Sequence, residues 1–298
     1  MKIRATKIRA VLFAAAWIGV SALPLTAQAP QQQPAPGQPA PVQVGVPQGS
    51  TADQQRAQTR QQQQAAERAK LAALPIPRFP DGHLVIGATK EMKGVWLPGP
   101  ANFGITAPPY QEWTRSVAQY RRRMQLEPHT RCKPSGGPRQ FLTPYGVEIV
   151  ELPEVKRAYI FDIGGPHTYR TVYMDTKTHP AKLEPTFYGH SVGWWEGDTL
   201  VIDTVGFNED MWIDRGNLPH TSQLHLIERL TRSRFDSLKY EITVDDPGAY
   251  TQTFSGSVDL RWEPGTELFE YVCQQENYAH TLMVGEGTAV DRSSAFIP

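Results

Sequence analysis

The chain has 298 residues, with Lys plus Arg at 30 and Asp plus Glu at 30, so a strongly basic nucleic-acid binder is excluded by charge. Two cysteines are too few for a disulfide-dense scaffold or a four-cysteine zinc site. Gly and Pro together make about 17% of the residues, too little for a low-complexity chain.

Residues 1–29 read as an export signal. Lys2, Arg4, Lys7 and Arg9 form a positive start, Val11 to Val20 an apolar stretch, and Ala27-Gln28-Ala29 a cleavage site. Later apolar runs are all short, so no stable membrane span is expected after cleavage. Removing four basic residues leaves 26 basic against 30 acidic groups, a net charge of −4. A periplasmic or secreted location follows, and there Cys132 and Cys273 are expected to form a disulfide.

Residues 30–74 are rich in Gln, Pro and Ala and form a linker that is expected to be disordered. Within it, 51–74 has high helix propensity without an apolar stripe, so an exposed, frayed helix or coil is expected there. The globular domain is placed at 75–298, since 76–298 holds 27 of the 29 aromatic residues. One α-helix is predicted over Tyr110 to Glu127, with Trp113, Val117, Tyr120 and Met124 as its apolar stripe. Pro128 stops it, and Arg121–Arg123 suits its C-terminal turn.

Beyond Cys132 the pattern is strand after strand. Nine are predicted: Gly146–Leu152, Ala158–Ile163, Thr168–Met174, Ser191–Trp195, Thr199–Phe207, Leu224–Arg229, Leu238–Asp245, Thr251–Trp262 and Leu268–Gln274. No helix separates them. The expected fold is therefore mainly β, an antiparallel meander closing into a calycin- or lipocalin-like barrel, with the one N-terminal helix. Such a barrel can hold a small ligand.

Two strands carry acids on apolar faces. Asp203 shares a face with Val201, Val205 and Phe207, and Glu228 with Leu224, Leu226 and Leu230. A carboxylate so placed is either a working acid or base or one half of a buried ion pair, with Arg170, Arg229 or Arg261 as partner. His190 and His220 sit near strand ends, where they could meet at a barrel mouth. His190, His220, Asp203 and Glu228 are thus the candidate catalytic residues. Trp195, Trp212, His225 and Tyr250 are the candidate ligand contacts, since tryptophans can form an aromatic platform. His220 and His225 have no metal-motif spacing, and no phosphate loop or GxSxG elbow is present. No metal or cofactor is expected.

Gly189-His190-Ser191-Val192-Gly193, then Trp195 to Thr204, Pro219-His220 with Leu224-His225 and Glu228-Arg229, and Asp246-Pro247 with Tyr250-Thr251 form a distinctive set. Together with Cys132 to Arg139 it resembles a widespread group of secreted bacterial β-rich proteins of unassigned function. The likeness runs over roughly 110–275. The chain departs from it at Asp175-Thr176-Lys177 and at Thr253-Phe254. The resemblance implies an exported β-rich domain and no particular activity. Two functions follow from the residues themselves. The first is binding of a small, partly apolar or aromatic molecule. The second is cofactor-free acid–base catalysis by the His/Asp/Glu cluster, as in a lyase, isomerase or hydrolase.

Overall fold

A computed structural model describes residues 51–99, 102–124, 127–163, 168–216, 218–269 and 273. The expected signal at 1–29 and the linker up to residue 50 lie outside them. Contacts divide the chain between Gln54 and Gln55, and the barrel lies within the unit Gln55–Pro298. Residues Thr51–Ala72 form helix α1, exposed along most of its length.

Nine strands close a barrel in chain order: β1 Gly94–Pro98, β2 Val147–Leu152, β3 Arg157–Asp162, β4 Tyr169–Tyr173, β5 His190–Glu196, β6 Thr199–Val205, β7 His225–Arg234, β8 Ser237–Asp245 and β9 Phe254–Pro264. β1 seals the ring against β9, with Trp96 opposite Trp262. Eight of the predicted strands correspond to β2–β9. The ninth is β1, five residues held between a glycine and a proline, too short to show an alternation. In the predicted strand Leu268–Gln274, none of the described residues is in a strand.

The ring is not a pure antiparallel meander. β4 and β5 run parallel, with Val172 opposite Ser191, whereas the other eight pairs are antiparallel. Parity requires this. Direction must return to itself around a closed ring, so nine strands cannot all alternate. The cost is a long crossover over residues 174–189, because a parallel pair cannot be joined by a tight hairpin. Its far end is tied to the chain after β6: Thr186 N–H donates to Gly206 O (3.1 Å) and Asn208 N–H to Thr186 O (2.8 Å). Gly189 then turns into β5 at φ +64°. A Cβ there would stand 2.6 Å from Val205 O, so glycine is required by both conformation and space.

Period-2 alternation sets the walls. In β8, Leu238, Tyr240, Ile242 and Val244 are buried, and in β9 Val258, Leu260 and Trp262. The interior is packed with large side chains: Trp96, Trp262, Tyr240, Phe141, Leu200, Ile202, Leu226 and Leu230 are all at most 2% exposed. Each such side chain contributes about 1.5–3 kcal/mol by leaving water. Trp262→Ala, which leaves a cavity beside Trp96, would cost about 3–5 kcal/mol.

Helix α2, Glu112–Met124, falls within the predicted span but turns its other side to the barrel. Thr114 and Ala118 are buried, while Trp113, Tyr120 and Met124 are 48–69% exposed. Small residues let the helix lie close to the 246–250 turn. Gln111 N–H donates to Ala249 O (2.9 Å), and Trp113 Nε1–H to Gly248 O (3.1 Å). Cys132 and Cys273 are joined as a disulfide, with Cα atoms 5.6 Å apart.

Candidate functional site

Three of the sequence-selected residues come together on the outer wall. In β6, Leu200, Ile202 and Thr204 point inward, so Asp203 points out. His190 in β5 and His225 in β7 occupy the same outer face on either side of it. Register places Asp203 opposite Val192 and Ile227, making both histidines diagonal neighbours. His225 Nε2 is 2.8 Å from Asp203 Oδ1. The fourth member, His179, arrives on the parallel crossover and was not a sequence candidate. Its Nε2 lies 3.1 Å from Asp203 Oδ1, and its Nδ1 2.9 Å from His190 Nδ1.

The cluster is therefore a line: His190, His179, Asp203, His225. The two nitrogens of the His179 ring face different partners. No single point is approached by three donor atoms, and among the described residues no group of three His, Cys, Asp or Glu is arranged to hold a metal ion. The line is half open to water, with side-chain exposures of 18% for His179, 20% for Asp203 and 41% for His225. Tyr173 of β4 stacks on the His190 ring, with centroids 4.8 Å apart and planes 10° from parallel. Burial, and then the neighbouring His179, hold the His190 imidazole below its usual range.

Glu228 is placed elsewhere, inside the barrel and fully buried. Arg170 of β4 donates from both terminal nitrogens to its carboxylate, one bond at 2.9 Å, and Tyr240 Oη donates to the same group. The rest of the Arg170 fork is used on Ser191 Oγ (2.8 Å) and Thr204 Oγ1 (2.6 Å). Burial works against the Arg170 charge, but the Glu228 carboxylate outweighs it and raises the guanidinium above its usual range. Burial, and then Glu228, keep Tyr240 protonated well above the usual phenol range. This is a closed ion-pair network rather than an open acid–base site.

His220, Trp212 and Tyr250 belong to a third group, in the loops beside α2. His220 is 4% exposed. Its Nδ1 is 2.9 Å from Thr221 O, and Phe207 meets its ring edge-on. Burial pushes its imidazole below the usual range. Tyr250 Oη donates to Pro219 O at 2.6 Å, and Arg121 covers the Trp212 ring. These contacts are separate from those of the outer-wall line.

Trp195 points inward at one barrel end and lines a cavity of about 340 Å³. Its neighbours there include Leu152, Ala158, Met174 and Leu200, with Asp81, His83, Glu151, Lys156, Arg157 and Asp175 as charged or titratable groups. His83 packs between Phe79 and Trp195, 4.8 and 4.6 Å away. Glu151 Oε2 accepts the Ile86 and Gly87 backbone N–H groups, at 2.7 and 2.8 Å. Burial nevertheless pushes its carboxyl up to about 7.

His179 and Glu151 escaped sequence reasoning. One signal for His179 was available. Nine strands in a closed ring demand a parallel pair, which points to one of the three long connections, after β1, after β4 or after β6. Nothing local marks Glu151. Comparison with known proteins finds no matching family, no matching curated relative and no matching solved structure.

Proposed function

We propose that this is an exported domain that binds a small, partly apolar molecule with an aromatic ring in the cavity at the barrel end. The cavity beside Trp195 carries the reading. Its volume is within the range of small-molecule sites, and its lining divides evenly between apolar side chains and charged or titratable ones. Trp195 offers aromatic surface to the cavity, and Glu151 offers a carboxyl near its titration point. The packed interior leaves the barrel end, rather than the lumen, as the place for a ligand. Export rests on the features of residues 1–29 and the Cys132–Cys273 pair, in keeping with the resemblance to secreted bacterial proteins.

The test is a fragment screen of aromatic and aliphatic compounds, read by protein-observed NMR. Binders should shift the Trp195 indole N–H and the Gly87 amide, and Trp195→Ala should weaken them at least about tenfold. Aromatic fragments that leave both signals unmoved would refute the reading.

A further inference from the structure

The outer-wall line carries an inference independent of the cavity. We propose that Asp203, His179 and His190 form a proton relay, and that His190 Nε2 is the general base of a second site, which hydrolyses small carboxylic esters through an attacking water.

Hydrogen bookkeeping along the line supports this. The Asp203 carboxylate can only accept, so the proton in its contact with His179 belongs to His179 Nε2. A neutral imidazole has one such proton, so His179 Nδ1 is then an acceptor. The 2.9 Å contact between the two Nδ1 atoms needs one hydrogen, and His190 must supply it. The proton of His190 is thereby placed on Nδ1, and Nε2 is left with its lone pair. Each tautomer is set by the group behind it, as in other carboxylate–imidazole pairs. Stacking on Tyr173 fixes the ring plane. The charged and titratable groups around His190 are Tyr173 and, over the far ring, Arg157 from the β3–β4 side, His179 from the crossover, Asp203 from β6 and His225 from β7.

The chemistry follows from the nucleophile available. Both cysteines are in the disulfide, and the hydroxyl of Ser191, next to His190, is bound to Arg170 inside the barrel. The attacking group in this proposal is water. Its oxygen adds to the ester carbonyl carbon while one of its protons moves to His190 Nε2. The His190 Nδ1 proton shifts towards His179 Nδ1, and the His179 Nε2–H bond to Asp203 strengthens. Collapse of the tetrahedral adduct breaks the acyl carbon–oxygen bond, and the departing alkoxide takes the proton back from Nε2. Carboxylic acid and alcohol are formed, and nothing is oxidised or reduced. A positioned imidazole base supplies about 10²–10⁴-fold, which suits an activated ester.

The experiment has two arms on the full chain. In the first, p-nitrophenyl acetate hydrolysis is followed against pH. His190→Gln should lose at least about tenfold of the protein-dependent rate. Asp203→Asn, a positioning change, should shift the pH profile as well as lower the rate. In the second, long-range ¹H–¹⁵N spectra of the unsubstituted protein should show His190 as the Nδ1–H tautomer at neutral pH, whatever the variants do to folding. A His190→Gln protein with undiminished rate would overturn the proposal, as would an Nε2–H tautomer at His190. So would one equivalent of zinc shifting all four side chains together, which would make the cluster a coordination site.

Discussion

Arg170 and Glu228 meet across the barrel interior, although the strands that carry them, β4 and β7, are separated in the wall by β5 and β6. Both side chains are at most 1% exposed. The guanidinium and carboxylate match each other's fork, and Tyr240, Ser191 and Thr204 take the remaining directions. A charge pair this deep is tolerable only because every polar atom around it is used.

Breaking that pair should be expensive. Glu228→Ala leaves the Arg170 guanidinium buried and unpaired, and is expected to cost about 3–5 kcal/mol. The double change Arg170→Met, Glu228→Leu should cost much less, because it removes both charges together. Urea unfolding of the two variants checks this. A single variant within 1 kcal/mol of the parent, roughly, would show that water reaches the site.

Glu151 should make the fold less stable as pH rises towards neutrality. Its folded-state carboxyl is raised to about 7, above the ordinary 4.5. The folded state thus holds its proton more tightly than the unfolded chain. The associated stability is complete below pH 4.5 and is lost as pH climbs through about 7. Since Glu151 keeps some contact with solvent, the swing is about 1–3 kcal/mol. Glu151→Gln should flatten this part of the stability–pH curve, as measured by urea midpoints between pH 4 and 8. An unchanged slope would place the carboxyl in the ordinary range.

His220 should act in the opposite direction. Burial lowers its folded-state imidazole below 6.5. Its contribution is present above 6.5 and is lost as pH falls through the lowered value, because the unfolded chain takes up the proton first. His220→Asn should soften the acid limb of the same curve. Its direct thermal cost reports the packing against Phe207 and the bond to Thr221, expected at about 1–3 kcal/mol.

The Cys132–Cys273 bond closes a loop with a sequence separation of 141. In the chain-entropy treatment a loop of this order stabilises by about 4–5 kcal/mol. Protein purified without reductant should show no alkylatable thiol by mass spectrometry. Replacing both cysteines by serine should lower the urea-derived stability by that amount. Two free thiols in protein purified without reductant would disprove the pairing.

What could be read from the sequence was whatever repeats locally. The alternation of Leu238, Tyr240, Ile242 and Val244 with polar residues specifies both a strand and its buried side, since side chains point to opposite faces at every step. The same rule marked Asp203 and Glu228 as polar groups in apolar company. It could not say that one faces out and the other in, because the strands around them carry apolar side chains on both faces: Val192 and Val201 are buried on the outer wall as completely as Ile202 is on the inner one.

Tertiary structure decided everything that depends on closing the ring. Closure recruited the short strand Gly94–Pro98, which has too few residues for a periodic signal, and it forced the parallel step that carries His179 to His190 and Asp203. It chose Arg170 over Arg229 and Arg261 as the partner of Glu228, because only Arg170 points inward across the lumen. It also turned Tyr120 and Met124 outward, since close approach of α2 to the 246–250 turn favours Thr114 and Ala118. Periodicity is a property of neighbours along the chain. Which faces meet depends on a global count of strands and on the space left between them.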